Sequence, residues 1–234
     1  MNPIRKYPWF SIWFAGVVII EVLALTVIPE YRIVSKVMIV ASLIGLYIGK
    51  AVRQNELFLL GLIFALLGDA FLLFTTDDFF MIGLGCFLVM QLCYSRIFYR
   101  KRRIPRSRDK AVVAGLVLLP VIFLSLTWNT LADLQWPVAV YSAAITTMLI
   151  LAYLRHAALG GYRLVLVGSI LFVVSDILLA VDKFVAALPI GGILVMLLYA
   201  AAQYLIVTGI LADDEPTKAV QQPKKKSAFS RHKL

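Results

Sequence analysis

Eight apolar runs, each close to twenty residues long and bounded by charged or turn-forming residues, constrain this chain more than anything else in it. They fall at roughly 9–28, 33–51, 57–74, 79–99, 111–128, 136–154, 162–181 and 189–211. About 20 apolar residues in a helix cross the hydrocarbon layer of a bilayer. Backbone N–H and C=O groups cannot be left unpaired there, so each run is expected to be helical. Only 15% of the 234 residues are charged and 62% are hydrophobic, against about 25% charged in soluble domains. The expected fold class is therefore all-α, a polytopic membrane protein with eight transmembrane helices. The first run follows Arg5 and Lys6. It is longer than the apolar core of about 7–15 residues in a secretory leader, and further runs follow it, so it reads as a retained span.

The net charge is +10, but the basic residues flank apolar runs, and no nucleic-acid partner is expected. Lysine and arginine mark the cytoplasmic connections of membrane proteins. Here Arg5 with Lys6, Lys50 with Arg53, the cluster from Arg96 to Lys110, Arg155 with Arg163, and the tail from Lys218 to Lys233 form one set. They alternate with connections holding Glu30 and Arg32, Asp77 and Asp78, Asp133, and Asp182 with Lys183. The alternation puts both termini in the cytoplasm and supports an even number of spans. Such loops suit a bacterial inner (cell) membrane, the expected location, and an endoplasmic reticulum as well. Trp9, Trp13, Trp128 and Trp136 mark an interfacial belt. Residues 1–212 are expected to form the transmembrane domain. Residues 213–234, with Lys224, Lys225 and Lys226, are expected to be a disordered basic tail near the membrane surface.

The chain echoes itself at a shift of 107 positions: Gly61 falls on Gly168, Ile63 on Ile170, Gly68 on Ser175, Asp69 on Asp176 and Leu72 on Leu179. The echo joins span 3 to span 7. Both run in the same direction, so a parallel pseudo-two-fold repeat of four-helix units is expected, with halves at about 1–105 and 106–212. Span 4 carries Gln91 and span 8 carries Gln203, so each half offers an acid and then an amide.

A charged Asp at a helix centre costs about 2.5–3.5 kcal/mol on insertion scales. The bland account of Asp69 and Asp176 is helix glue, each acid bonded to a neighbour. The functional account is an enclosed polar pocket. Gly61, Ala65 and Gly68, and again Gly168 and Ser175, are small residues beside the acids that let backbones approach and leave room near the carboxylates. Other polar groups are assigned to the same layer as candidate substrate contacts. These are Glu21, Lys36, the Gln91 and Tyr94 pair, the Tyr199 and Gln203 pair, and Asp182. Lys36 also fits a snorkelling role, Glu21 a lone acid paired with a neighbour, and Asp182 a solvated loop position. Cys86 and Cys93, seven apart, read as apolar fillers. The only histidines, His156 and His232, join no Cys/His cluster, so no metal or other cofactor is expected.

Two carboxyl groups in one low-dielectric site do not both ionise readily, because burial and a neighbouring like charge each favour the protonated form. One then serves as an acid and the other stays an anion. That division suits substrates that react through an oxocarbenium ion.

Leu67-Gly68-Asp69 with Leu72, Gly83 and Phe87, the run from Ser175-Asp176 to Ala180 ending at Phe184, and Tyr199 through Gln203-Tyr204-Leu205-Ile206 resemble the YhhN family. These are bacterial and animal membrane proteins that include lysoplasmalogenase. Lys36 fits the family pattern, although Val37 stands where a proline often follows, and Gln91 stands where span 4 often has a histidine. The resemblance implies hydrolysis of the vinyl ether bond of a lysophospholipid, lysoplasmalogen, to a fatty aldehyde and a glycerophospho-base. It implies Asp69 and Asp176 as the catalytic pair. Gln91, Tyr94, Tyr199 and Gln203 would bond glycerol hydroxyls or water, Lys36 would answer the phosphate, and the membrane lipid would give access for the tail. Two rivals stand beside it: a proton- or cation-coupled transporter using the same acids as a relay, and a non-catalytic scaffold.

Overall fold

The computed structural model describes residues 3–74 and 76–213. Among them the chain forms a single-turn helix, α1 (Pro3–Lys6), and eight longer ones. These are α2 (Pro8–Thr26), α3 (Arg32–Lys50), α4 (Glu56–Phe71), α5 (Asp77–Arg100), α6 (Ser107–Thr127), α7 (Gln135–Tyr153), α8 (Tyr162–Phe184) and α9 (Gly191–Asp213). Helices α2 to α9 correspond in order to the eight apolar runs. Apolar length decides this agreement, because in lipid a helix is the only way for a single segment to satisfy its own backbone. The tail from residue 214 lies outside the described residues.

Consecutive long helices pack as antiparallel hairpins, most intimately α4 with α5 and α8 with α9, except that α5 and α6 scarcely touch. Contacts of α5 with α7 and of α3 with α9 close the bundle. Helix α6 packs mainly on α7 and leaves Val117, Leu118, Val121 and Ile122 exposed, the surface expected of a helix facing lipid. Trp9, Trp13 and Trp136 are likewise exposed, and Trp128 meets Trp136 edge to face.

Seven of the eight long helices are long and apolar enough to cross a membrane; α4 is the exception. Its 16 residues span about 24 Å at the helical rise, short of the hydrocarbon thickness. The expected span to residue 74 stops at Phe71, and Leu72 to Phe74 continue as turns. The early end follows from packing. A Cβ added at Gly68 would lie 2.8 Å from the Phe87 ring, and one at Gly83 would lie 2.9 Å from the Leu72 side chain, so the tip of α4 is wedged against α5. The same contact revises the reading of the small residues. Gly61 is filled by Tyr94 and Gly68 by Phe87, while Gly168 is met by the Ala202 carbonyl of α9. Smallness here buys close helix approach, and aromatic rings take up the room beside Asp69.

At the end of the bundle holding the termini of α5 and α9, ionic contacts fasten the connections. Arg155 is fully buried and paired with Asp213, which Lys101 also approaches at 3.3 Å. Asp213 also accepts from the Gly161 N–H at 3.1 Å. The last residue of α9 is thus an anchor of the domain, whereas 213 was expected to open the tail. Asp109 accepts a forked pair of bonds from Arg103 at 2.5 and 2.9 Å, which holds that guanidinium firmly charged.

Candidate active site

The opposite end of the bundle holds the starts of α3, α5, α7 and α9 and the ends of α4 and α8. A cavity of about 480 Å³ opens there, within the range of small-molecule sites, about 300–1,000 Å³. Its mouth is charged, lined by Arg32, Lys36, Asp182 and Lys183. Its far wall is apolar, with Leu116, Leu119, Pro120 and Phe123 of α6 facing Ile145 and Leu149 of α7. The lining from Val138 to Leu149 follows α7 for about 16 Å at the helical rise. The chamber therefore has the polarity of a single-tailed amphiphile.

Asp69 and Asp176 both line this chamber. They sit at matching positions along their helices, about 20 Å from the start of α4 and about 21 Å from the start of α8 by the helical rise. Asp69 is buried and accepts from the Tyr199 hydroxyl at 2.7 Å. Asp176 is half-buried and accepts from the Tyr141 hydroxyl at 2.5 Å. Each acid thus has a tyrosine on a third helix, α9 for one and α7 for the other. Ser175, the small residue before Asp176, donates its hydroxyl to the Val195 carbonyl and so ties α8 to α9.

The other expected site residues divide into two groups. Lys36, Tyr199 and Asp182 line the chamber with the acids. Asp182 is half-buried in the last turn of α8, where it accepts from the Leu188 N–H at 2.7 Å and shapes the α8–α9 connection. Gln91, Tyr94, Gln203 and Glu21 are fully buried and do not line it. Tyr94 donates to Gln203 at 3.1 Å, and the Gln203 amide approaches the Met90 sulfur. Gln91 has no hydrogen bond of good geometry but lies within reach of the Tyr141 hydroxyl. Glu21 accepts from Ser35 at 2.5 Å and lies 3.8 Å from the Arg32 guanidinium.

Sequence reasoning missed Tyr141 and Arg32. No spacing ties Tyr141 to either acid; only the packing of α7 against α8 brings it there. Arg32 was counted as an orientation charge. Its place four residues before Lys36, on one face of a helix, was the available signal.

Several known proteins are similar to this chain. Lysoplasmalogenase TMEM86A of Bos taurus is 29% identical over 180 residues, 71% of this chain and 70% of that protein. Its counterpart in Homo sapiens is 27% identical, over 68% of this chain and 66% of that protein. Lysoplasmalogenase TMEM86B of Homo sapiens is 30% identical, over 66% of this chain and 63% of that protein. No solved structure matches. The YhhN family model covers residues 31–210, from the start of α3 almost to the end of α9, and so takes in both acids, both tyrosines and the whole chamber. With that coverage, the chain belongs to the YhhN family.

Proposed function

We propose that the protein hydrolyses the vinyl ether bond of lysoplasmalogens, giving a fatty aldehyde and a glycerophospho-base. The observation that carries this reading is one chamber shared by Asp69 and Asp176, polar at its mouth and apolar at its far wall. Relatives named lysoplasmalogenase support the same substrate class.

The chemistry needs a proton at the outer alkene carbon and an anion beside the cation that results. Asp176, whose bonded partner is the neutral Tyr141, takes the role of acid. Asp69, on which the charge of Lys36 falls, takes the role of anion. Asp176 gives its proton to the alkene carbon, and the ether oxygen carries the oxocarbenium charge. Water adds to the cationic carbon while Asp69 accepts a proton from it, forming a hemiacetal. Asp69 then protonates the departing glycerol oxygen as Asp176 takes the hemiacetal hydroxyl proton. The C–O bond breaks, aldehyde and alcohol leave, and both acids return to their starting states. The tail lies against the α6 and α7 wall. With both termini in the cytoplasm, as the alternation of basic connections implies, the mouth opens toward the outer face.

The test is hydrolysis in heavy water. Purified protein in detergent with lysoplasmalogen should release aldehyde carrying one deuterium on the carbon next to the carbonyl, because that carbon receives the proton of the first step. Aldehyde formed without deuterium there would exclude protonation of the alkene. A transporter reading draws support from the early end of α4 beside Asp69, since broken helices mark ion sites in transporters. Against it, α8 continues unbroken for eight residues past Asp176. Proton-coupled uptake in proteoliposomes with no aldehyde formed would favour that rival.

A further inference from the structure

The hydrolytic steps form no bond to Arg32 or Lys36, two of the three cations at the mouth of the chamber. Arg32 and Lys36 lie one turn apart on α3, and both line the cavity. Lys36 is only 5% exposed. Its ammonium makes no hydrogen bond or contact ion pair with the described residues, yet its nitrogen is not sealed off, so it keeps access to the chamber. Taking an ammonium out of water is expensive unless an anion answers it. Glu21 is already committed. It is bonded to Ser35 and sits against the Nε side of Arg32, which leaves the two terminal nitrogens of that guanidinium without hydrogen bonds among the described residues. Asp69 faces Lys36 only through space, without a hydrogen bond or contact ion pair, so both cations keep donors unused by the described residues.

A planar guanidinium and an ammonium lining one cavity, both with donors left over, suit a tetrahedral oxyanion. We propose that Arg32 and Lys36 form the seat for the phosphodiester of a single-tailed lipid, with Glu21 as the positioning residue that aims Arg32. The phosphate at the mouth sets how far the chain enters, and so which carbons stand beside the acids. A snorkelling lysine would reach out of the protein into the interface; this one is enclosed and turned to the chamber. The identity of the lipid rests on the hydrolase reading, but the phosphate seat does not.

The test is therefore a binding measurement with lipids that cannot be cleaved. A saturated-ether lysophospholipid and its phosphate-free counterpart, a 1-alkylglycerol, are titrated against detergent-purified protein, with glycerophosphate and inorganic phosphate as further arms. The wild-type protein should bind the phospholipid at least tenfold more tightly than the alkylglycerol. Lys36→Met and Arg32→Gln should each erase most of that preference while alkylglycerol affinity stays unchanged, which also shows that the variants fold. Glu21→Gln should weaken the preference without abolishing it. A wild-type protein that binds both lipids alike overturns the proposal, as do variants that keep the preference. Inorganic phosphate or glycerophosphate binding as tightly as the phospholipid would overturn the lipid seat in favour of a free-anion site. The phosphate preference with no aldehyde release from lysoplasmalogen would leave the seat standing and remove the hydrolase reading.

Discussion

At the scale of residues, the account turns on two carboxyl groups, each held by a tyrosine hydroxyl. Asp69 and Asp176 were legible because a repeated acid inside an apolar run has few ordinary explanations. Tyr199 was legible as a polar residue on the last helix, though not as the partner of Asp69. Tyr141 was not legible, since a lone tyrosine in a span is usually packing, and its bond to Asp176 crosses from α7 to α8. Gln91, Tyr94 and Gln203 were read as substrate contacts from their shared helix faces; the fold encloses them behind the chamber, with Tyr94 and Gln203 bonded to each other. Face-sharing along a helix gives no information on which neighbour that face meets. If the tyrosines orient the reacting acids, Tyr141→Phe and Tyr199→Phe remove a hydrogen bond to an ionisable group, worth about 1.5–3 kcal/mol. Each should lower kcat by roughly ten- to a hundredfold, with thermal unfolding little changed. A loss under about threefold, in the same assay that scores the wild type, would leave these bonds structural only.

At the scale of elements, glycines decide how closely the hairpins pack. The sequence showed small residues near the acids, and close approach was the right inference, but which group fills the space needs the fold. At Gly161, a Cβ would stand 1.7 Å from the Gly209 carbonyl oxygen, where backbone cannot retreat. Gly115 in α6 has nothing within 4 Å of an added Cβ. Gly161→Ala should therefore separate α8 from α9 and sharply reduce the yield of folded protein. Gly115→Ala should be neutral or stabilising by up to about 1 kcal/mol through helix propensity. Size-exclusion profiles and thermal unfolding in detergent would compare the two, and equal behaviour would contradict the packing described. The short α4 was not legible either, because hydropathy continues through Leu72 to Phe74 while the wedge against Phe87 ends the helix.

At the scale of the whole molecule, the hydropathy pattern revealed the number, order and alternation of the helices. It left open the rotation of each helix about its axis, and rotation is what places two acids in one chamber. It also left open how the bundle is fastened at the end away from that chamber. The fully buried pair of Arg155 and Asp213 ties the α7–α8 connection to the end of α9. Arg155→Met leaves the buried Asp213 carboxylate with Lys101 as its one cationic neighbour among the described residues, and breaking a buried pair from one side costs about 3–5 kcal/mol. The expected result is a markedly lower unfolding temperature, largely restored when Asp213→Leu is added, because two apolar residues leave no stranded charge. Failure of the double variant to recover would mean that Asp213 acts through Gly161 alone.

The central claim, proposed above, is that Asp69 and Asp176 work on one substrate within a common cavity. Aldehyde release from lysoplasmalogen by Asp69→Asn and Asp176→Asn, each purified and shown to unfold at the wild-type temperature, tests it most directly. The account predicts that each substitution lowers turnover by at least a hundredfold. Turnover close to wild type in either variant would contradict it.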